Sequence, residues 1–182
     1  FDFPIHFHPE YELNFIYKGN GVRRIVGDNT EVINDLELVL VGPNLVHGWE
    51  LHNCTCKEIY EITIHIHQDL LNEKMLSRRL FKPISGMFNR SKHGILFSKE
   101  TTIEMMPRLM ALNRIKGIQY YLEFVGILND LANSEGQRML STHSFENHDF
   151  ENSDKTKKVY DYIQDNFNKT ITLNEISELA NM

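Results

Sequence analysis

Long hydrophobic runs are missing from this chain of 182 residues. No stretch of about 18 apolar residues occurs, and no charged-then-apolar leader precedes a small-residue cleavage site, so neither a membrane span nor a signal peptide is expected. The expectation is a soluble, cytoplasmic protein. Cysteine is scarce: Cys54 and Cys56 are the two present, one residue apart without suitable bridging geometry on an extended segment, and they read as reduced thiols. Asn53, Asn89 and Asn168 fit the glycosylation acceptor pattern, which carries no weight without a secretory signal. Positive charge is also short, with 19 Lys and Arg against 25 Asp and Glu and a net charge of -6. That balance opposes non-specific attraction to a polyanion, so these residues are not expected to form a nucleic-acid-binding surface by themselves.

What the chain has is an apolar content of 41%, enough to core one domain and carry an appendage. It opens on Phe1 in a strand-like pattern and stops inside a helical one, and is expected to be a fragment at both ends. Residues 3–8, 11–17, 21–26, 36–41, 47–51 and 57–67 are β-branched or aromatic runs. Gly19-Asn20-Gly21, Gly27-Asp28-Asn29 and Gly42-Pro43-Asn44 punctuate them, a spacing that suggests a sandwich or barrel.

From about Gln68 the pattern turns helical. Thr101 or Thr102 is placed to cap a helix running to Lys116, with Ile103, Met106, Leu109, Met110 and Leu112 at helical spacing. A second helix spans 117–133. Ile118, Tyr121, Leu122, Val125, Leu128 and Ala132 make one apolar stripe along it, and Tyr120, Phe124, Ile127 and Leu131 make another. A helix apolar over so much of its circumference needs two burial partners. One side is expected to pack on the sheets, and the stripe Tyr120, Phe124, Ile127 and Leu131 on a second subunit; burial between sheets and a neighbouring helix is the alternative. Residues 141–154 are polar and aperiodic, hence a linker. Beyond them Val159, Tyr162, Ile163 and Phe167 line one helix, Asn168-Lys169-Thr170 turns the chain, and Thr172-Leu173-Asn174-Glu175 is a capping-box pattern opening another.

The chemistry concentrates near the start. His6, His8, Glu10 and Glu12 share one parity, so an unbroken strand would project them to one face and Phe7, Tyr11, Leu13, Phe15 and Tyr17 to the other. Alternation alone suits a half-buried strand with its polar face in water, and Pro9 is placed to break the parity. His47 follows the Gly42-Pro43 turn. Three imidazoles and a carboxylate are competent to hold a divalent transition metal with positions left for substrate or water. The same residues could instead hydrogen-bond a polar ligand such as a sugar, or stabilise the mouth of the fold. Trp49 could wall such a pocket or be plain core. His65 and His67 repeat the HxH pattern without an accompanying carboxylate and read as a solvated face, and Lys18, Arg23 and Arg24 as a charged rim.

His6, His8, Glu12 and Gly19 fill every position of HxH-x3-E-x6-G, and this stretch resembles the first motif of the cupin family. Gly42-Pro43 and His47 resemble part of the second motif, one residue shorter inside and without its later Asn. The resemblance implies a small antiparallel β-barrel with His6, His8, Glu12 and His47 pointing into its mouth, where cupins bind Fe, Mn, Ni, Cu or Zn. The terminal segment from Val159-Tyr160-Asp161-Tyr162-Ile163 to Leu179-Ala180-Asn181-Met182 resembles the opening of the DNA-binding domain of AraC/XylS-type transcription regulators. Ser177 stands where Ala is usual, Asn181 suits the turn that ends the helix, and the chain stops before the recognition helix. Gly94-Ile95-Leu96-Phe97 and the helices after it resemble that family's dimerisation segment.

The resemblance thus implies a mixed α/β, β-dominated chain: a cupin-like sensor barrel over 1–98, a helical dimerisation segment over 99–140, a linker over 141–154 and a truncated helix-turn-helix domain over 155–182. Its expected function is effector sensing and dimerisation in a DNA-binding regulator, not an enzyme. A small-molecule effector, such as a sugar, would lie near His6, His8, Glu12, His47 and Trp49. His6, His8, Glu12 and His47 remain candidate ligands for a divalent transition metal. The expected partners are a second copy of the chain and, for the full-length protein, DNA, with no membrane. A metal-dependent cupin oxygenase or isomerase is the rival reading.

Overall fold

The computed structural model describes residues 3–143, 158–159, 161–163 and 165–180. The chain divides into two compact units, residues 1–144 and 145–182. The first opens with seven strands: β1 (Phe3–His6), β2 (Tyr11–Tyr17), β3 (Arg23–Val26), β4 (Asn29–Val32), β5 (Leu36–Val41), β6 (His47–Glu50) and β7 (Tyr60–Ile66). Helices α1 (Glu73–Leu76), α2 (Lys82–Arg90), α3 (Lys99–Ala111) and α4 (Ile118–Asn133) follow, with short strands β8 (Ile95–Leu96) and β9 (Arg138–Met139) interleaved. The pairing gives two antiparallel sheets, ordered β1-β6-β3-β4 and β7-β2-β5-β8-β9. Among the described residues no ladder joins them into a continuous ring.

Three layers result. Ile16, Val39 and Val41 of the five-stranded sheet meet Val26 and Trp49 of the four-stranded sheet in one core. The opposite face of the five-stranded sheet presents Leu13, Phe15, Leu38 and Leu40 to Met87, Leu109, Phe124, Ile127, Leu128 and Leu131 of the helices in a second core. That is why β2 is buried almost throughout. Its apolar parity is covered by helices, and its other parity looks into the gap between the sheets rather than into water.

Several boundaries differ from the sequence reading. The run at residues 3–17 is two strands in different sheets, with a bend at Pro9 and Glu10. Helix α3 starts earlier than expected because Ser98 caps it, accepting from the Thr101 amide at 3.2 Å, while the Thr102 hydroxyl donates to the Ser98 carbonyl at 2.8 Å. It also ends earlier, tightening into a 3-10 turn over Leu112–Arg114 before Gly117 takes φ 62°.

On α4 the stripe expected to meet a second subunit lies largely inside the chain. Phe124, Ile127 and Leu131 are buried in this chain's own core, so they cannot face a second subunit without leaving it; Tyr120 alone of that set is exposed. The outward face carries Ile118 and Leu122, 66% and 55% exposed. Arg108 joins α3 to α4 through Glu123 at 2.6 Å and Asp130 at 2.5 Å.

In the second unit, residues 158–159, 161–163 and 165–166 are helical, a turn follows, and α5 spans Leu173–Leu179. The Thr172 hydroxyl accepts from the Glu175 amide at 3.3 Å, and the Glu175 carboxylate accepts from the Thr172 amide at 2.7 Å, the reciprocal capping box expected there. The linker beyond His143, together with Tyr160, Asn181 and Met182, lies outside the described residues.

Truncating Phe124 to Ala is expected to cost about 3–5 kcal/mol, and Leu122 to Ala to stay within about 0.5 kcal/mol. Urea unfolding of the two variants checks the assignment of faces; comparable losses would reverse it.

Candidate functional site

The chemistry-bearing residues converge from both sheets. His6 ends β1 and lies opposite His47 of β6, while Glu12, second residue of β2, lies opposite His65 of β7. His8 sits in the connection that crosses between the sheets. That connection is tied to the turn before β6, because the Asn44 amide donates to the His8 carbonyl at 2.8 Å. Asn44 adopts a left-handed φ of 60°, which Asn tolerates better than most residues. At Gly42 an added Cβ would lie 2.7 Å from the Ser91 carbonyl oxygen, so the turn needs glycine there.

The result is a carboxylate ringed by imidazoles. Glu12 and His47 are 3% and 1% exposed. The Glu12 Oε2 atom lies 3.0 Å from His8 Nε2, 3.3 Å from His47 Nε2 and 3.6 Å from His65 Nε2. Ring centroids stand 4.4 Å apart for His6 and His47, 4.9 Å for His8 and His47, and 4.6 Å for the stacked His8 and His65. Burial pushes the Glu12 carboxyl up, but hydrogen bonds from His47 and His8 outweigh it and hold the group well below the usual carboxylate range. The hydrogen bond to Glu12 raises His8 against the opposing effect of burial, and burial lowers His6 despite its bond to the Pro4 carbonyl.

The tautomers follow from which partners can only accept. His6 Nδ1 lies 2.9 Å from the Pro4 carbonyl and His47 Nδ1 lies 2.7 Å from the Leu45 carbonyl; each Nδ1 must therefore carry its proton and donate. In a neutral His47, Nε2 is then a bare acceptor facing a carboxylate oxygen. A proton or a metal ion has to stand between them. Backbone carbonyls that fix the far nitrogen are also the usual outer support of metal-bound histidine. The donor atoms of His6, His8, Glu12 and His47 all lie within 4.8 Å of one another. Tetrahedral ligands on bonds of ~2.1 Å stand about 3.4 Å apart, so a modest closing of the ring would seat an ion. The residues fit the group.

Beside the cluster is a cavity of about 210 Å³ lined by His6, Glu12, Asn14, Trp49, Glu61, Thr63 and His65. Asn14 braces its wall, donating to Glu61 at 2.9 Å and Thr63 at 3.2 Å. Burial raises the Glu61 carboxyl. Trp49, which the sequence leaves as pocket wall or plain core, is buried in the core between the sheets and also lines the cavity, and its Nε1–H donates to Glu37 at 3.4 Å. Glu37 in turn contacts Arg24, which is 1% exposed and also meets Glu31 at 2.6 Å and Asn29 at 2.8 Å. Arg24 is therefore interior rather than a rim charge. Arg23 pairs with Glu50, and Lys18 lies 4.9 Å from the Tyr60 ring centroid.

The polar parity of β7, Glu61, Thr63 and His65, is the part of the site the sequence reading missed. His65 was assigned to a solvated face for want of a nearby carboxylate, yet antiparallel pairing sets it opposite Glu12. The signal was present in β2 and β7, which share the same alternation. His67 does face solvent.

Two antiparallel sheets enclosing a small cavity, with a buried carboxylate and several imidazoles at one end, define the class: a β-rich two-sheet domain with a helical layer. The chain is 27% identical over 188 residues to the uncharacterized HTH-type transcriptional regulator YbfI of Bacillus subtilis (strain 168). The alignment covers 98% of this chain and 61% of that protein, so the chain spans about three-fifths of its relative's length. No known protein family matches the chain in a profile comparison. No helix among the described residues is long and apolar enough to cross a membrane.

The His8–Glu12 pair makes stability depend on pH in the metal-free protein. Glu12 is lowered from its ordinary 4.5, so its contribution is complete above that value and is lost as pH falls through the lower folded value. His8 is raised from 6.5, so its contribution is complete below that value and is lost as pH rises through the higher folded value. Unfolding in EDTA should show the pair's contribution greatest between these limits. Glu12→Ala is expected to cost about 3 kcal/mol there and to flatten both flanks; an unchanged pH profile would contradict the pairing.

Proposed function

We propose that this chain is the effector-sensing and dimerisation region of a DNA-binding transcription regulator of the AraC/XylS type, and that a small polar ligand binds against His6, His8, Glu12, His47 and Trp49. The observation that carries the proposal is the buried carboxylate ringed by imidazoles beside a cavity of about 210 Å³, in a chain similar along nearly its whole length to an HTH-type regulator. A mostly apolar cavity with a few convergent polar groups, here from His6, Glu12, Asn14, Glu61 and Thr63, is suited to holding a small ligand and orienting its hydroxyl or carboxylate groups. The inner parity of β2 and β5 faces the pocket side while their outer parity carries the helices. Ligand that binds two arrangements unequally would therefore shift the helices through the same sheet. The second copy would dock on the outward stripe of α4 that bears Ile118 and Leu122. DNA binding belongs to the full-length protein.

A second reading is favoured by the Nδ1–H bonds of His6 and His47 to backbone carbonyls, which leave Nε2 of each ring, that of His47 beside Glu12, as the nitrogen able to ligate. In it a divalent transition metal sits among His6, His8, Glu12 and His47. The ion would supply Lewis acidity or anchor a polar ligand, and the four residues would hold and orient it.

Thermal unfolding in the presence of sugars, sugar acids and divalent metals is the test. At least one probe should raise Tm in a concentration-dependent way, and His47→Ala should abolish that rise. A series in which nothing shifts Tm, or in which the shift survives His47→Ala, would sink the assignment of the pocket.

A further inference from the structure

We propose that a second divalent transition-metal position lies beside the first, among His8 Nδ1, Glu10 and His65, with the His8 ring bridging the two ions. This rests on the metal reading of His6, His8, Glu12 and His47 and extends it.

The two nitrogens of His8 face different partners. Nε2 lies 3.0 Å from Glu12. Nδ1 is fully buried and makes no hydrogen bond, although a Glu10 carboxylate oxygen stands 3.4 Å away. If Nε2 donates to Glu12, then Nδ1 carries a lone pair directed into the same space as a carboxylate, which itself only accepts. Two acceptors facing one another are reconciled by the ring's second proton or by a metal ion that takes its place. A third donor stands close by: the His65 ring centroid lies 4.6 Å from that of His8, and a turn of this half-exposed ring would bring a nitrogen to the ion. Donor atoms of His8, Glu10 and His65 lie within 4.8 Å of one another, as those of the inner group do.

The two positions differ in exposure. The inner set includes Glu12 and His47, both buried, whereas His65 is 52% exposed. The outer ion therefore loads and exchanges more readily, and solvent completes its coordination. Imidazole and carboxylate ligands suit Zn²⁺, Cu²⁺, Ni²⁺ or Fe²⁺ in both positions. For one ring to ligate through both nitrogens, His8 releases its last ring proton to solvent as the second ion binds. The resulting imidazolate adds one negative charge to the two from Glu10 and Glu12, offsetting most of the charge of two divalent ions.

The experiment is metal stoichiometry of the untagged chain, stripped with EDTA and reloaded with Zn²⁺ or Cu²⁺, with circular dichroism confirming the fold of each variant. The wild type should take up two ions of unequal affinity, and Glu10→Gln and His65→Ala should each retain only the tighter one. The loaded Cu²⁺ form should lose electron paramagnetic resonance intensity through coupling across the imidazolate, and Glu10→Gln should restore the signal of an isolated ion. Uptake of one ion by the wild type overturns the second position and leaves the first standing. So do two ions that both survive Glu10→Gln and His65→Ala, since that pattern places the extra ion on surface histidines such as His52 or His67. Uptake of no ion overturns both readings.

Discussion

Glu12 is a carboxylate buried between two sheets, and it stays ionised only because imidazoles from both sheets surround it. Removing a charge from water costs several kcal/mol unless partners compensate it. Here they come from β6, from β7 and from the connection between β1 and β2. The ring therefore closes only when the sheets face each other in this register, with His6 opposite His47 and Glu12 opposite His65. The interior repeats the device farther in, where Arg24 meets Glu37 and Glu31. Trp49 spans the two, walling the cavity with its ring and donating its indole N–H to Glu37. Apolar packing by Ile16, Val26, Val39 and Val41 fills the rest of the gap.

Much of this was legible from residue order, and the misses have physical causes. The β-rich first half and its turns follow from Gly-bearing breaks between β-branched runs. Helix α4 and the Thr172–Glu175 capping box follow from local rules that tertiary packing did not override. The resemblance of the HxH and Glu stretch and of the Gly42-Pro43 turn to cupin motifs pointed to His6, His8, Glu12 and His47, whose donor atoms lie within 4.8 Å of one another, although not in the way that a single strand implies: the bend at Pro9 and Glu10 sends β1 and β2 to different sheets. What was not legible is whatever depends on pairing across long separations. His65 joins the site only through its register with Glu12, and Arg24 is interior only because Glu37 and Glu31 reach it. On α4, two apolar stripes compete for one sheet face, and their periodicity is the same. The structure places Phe124, Ile127, Leu128 and Leu131 inward, which periodicity alone does not decide.

The same sheet serves site and helices, and this gives the proposed sensor a short physical route. Along β2, Glu12 and Asn14 look toward the pocket while Leu13 and Phe15 pack under the helices. Close-packed cores transmit small displacements because they have little free volume to absorb them. A ligand or ion that draws Glu12 and the histidines together thus acts on a strand whose other face supports α2, α3 and α4. Arg108, bonded to Glu123 and Asp130, makes α3 and α4 respond as a pair.

Nitrogen-15 NMR of the histidine rings during Zn²⁺ titration probes the cluster atom by atom. The account predicts that the Nε2 resonances of His6, His8 and His47 move on binding while the Nδ1 protons of His6 and His47 remain in place, held by the Pro4 and Leu45 carbonyls. Resonances of these three rings that stay fixed while those of His52, His67 or His93 move would contradict it.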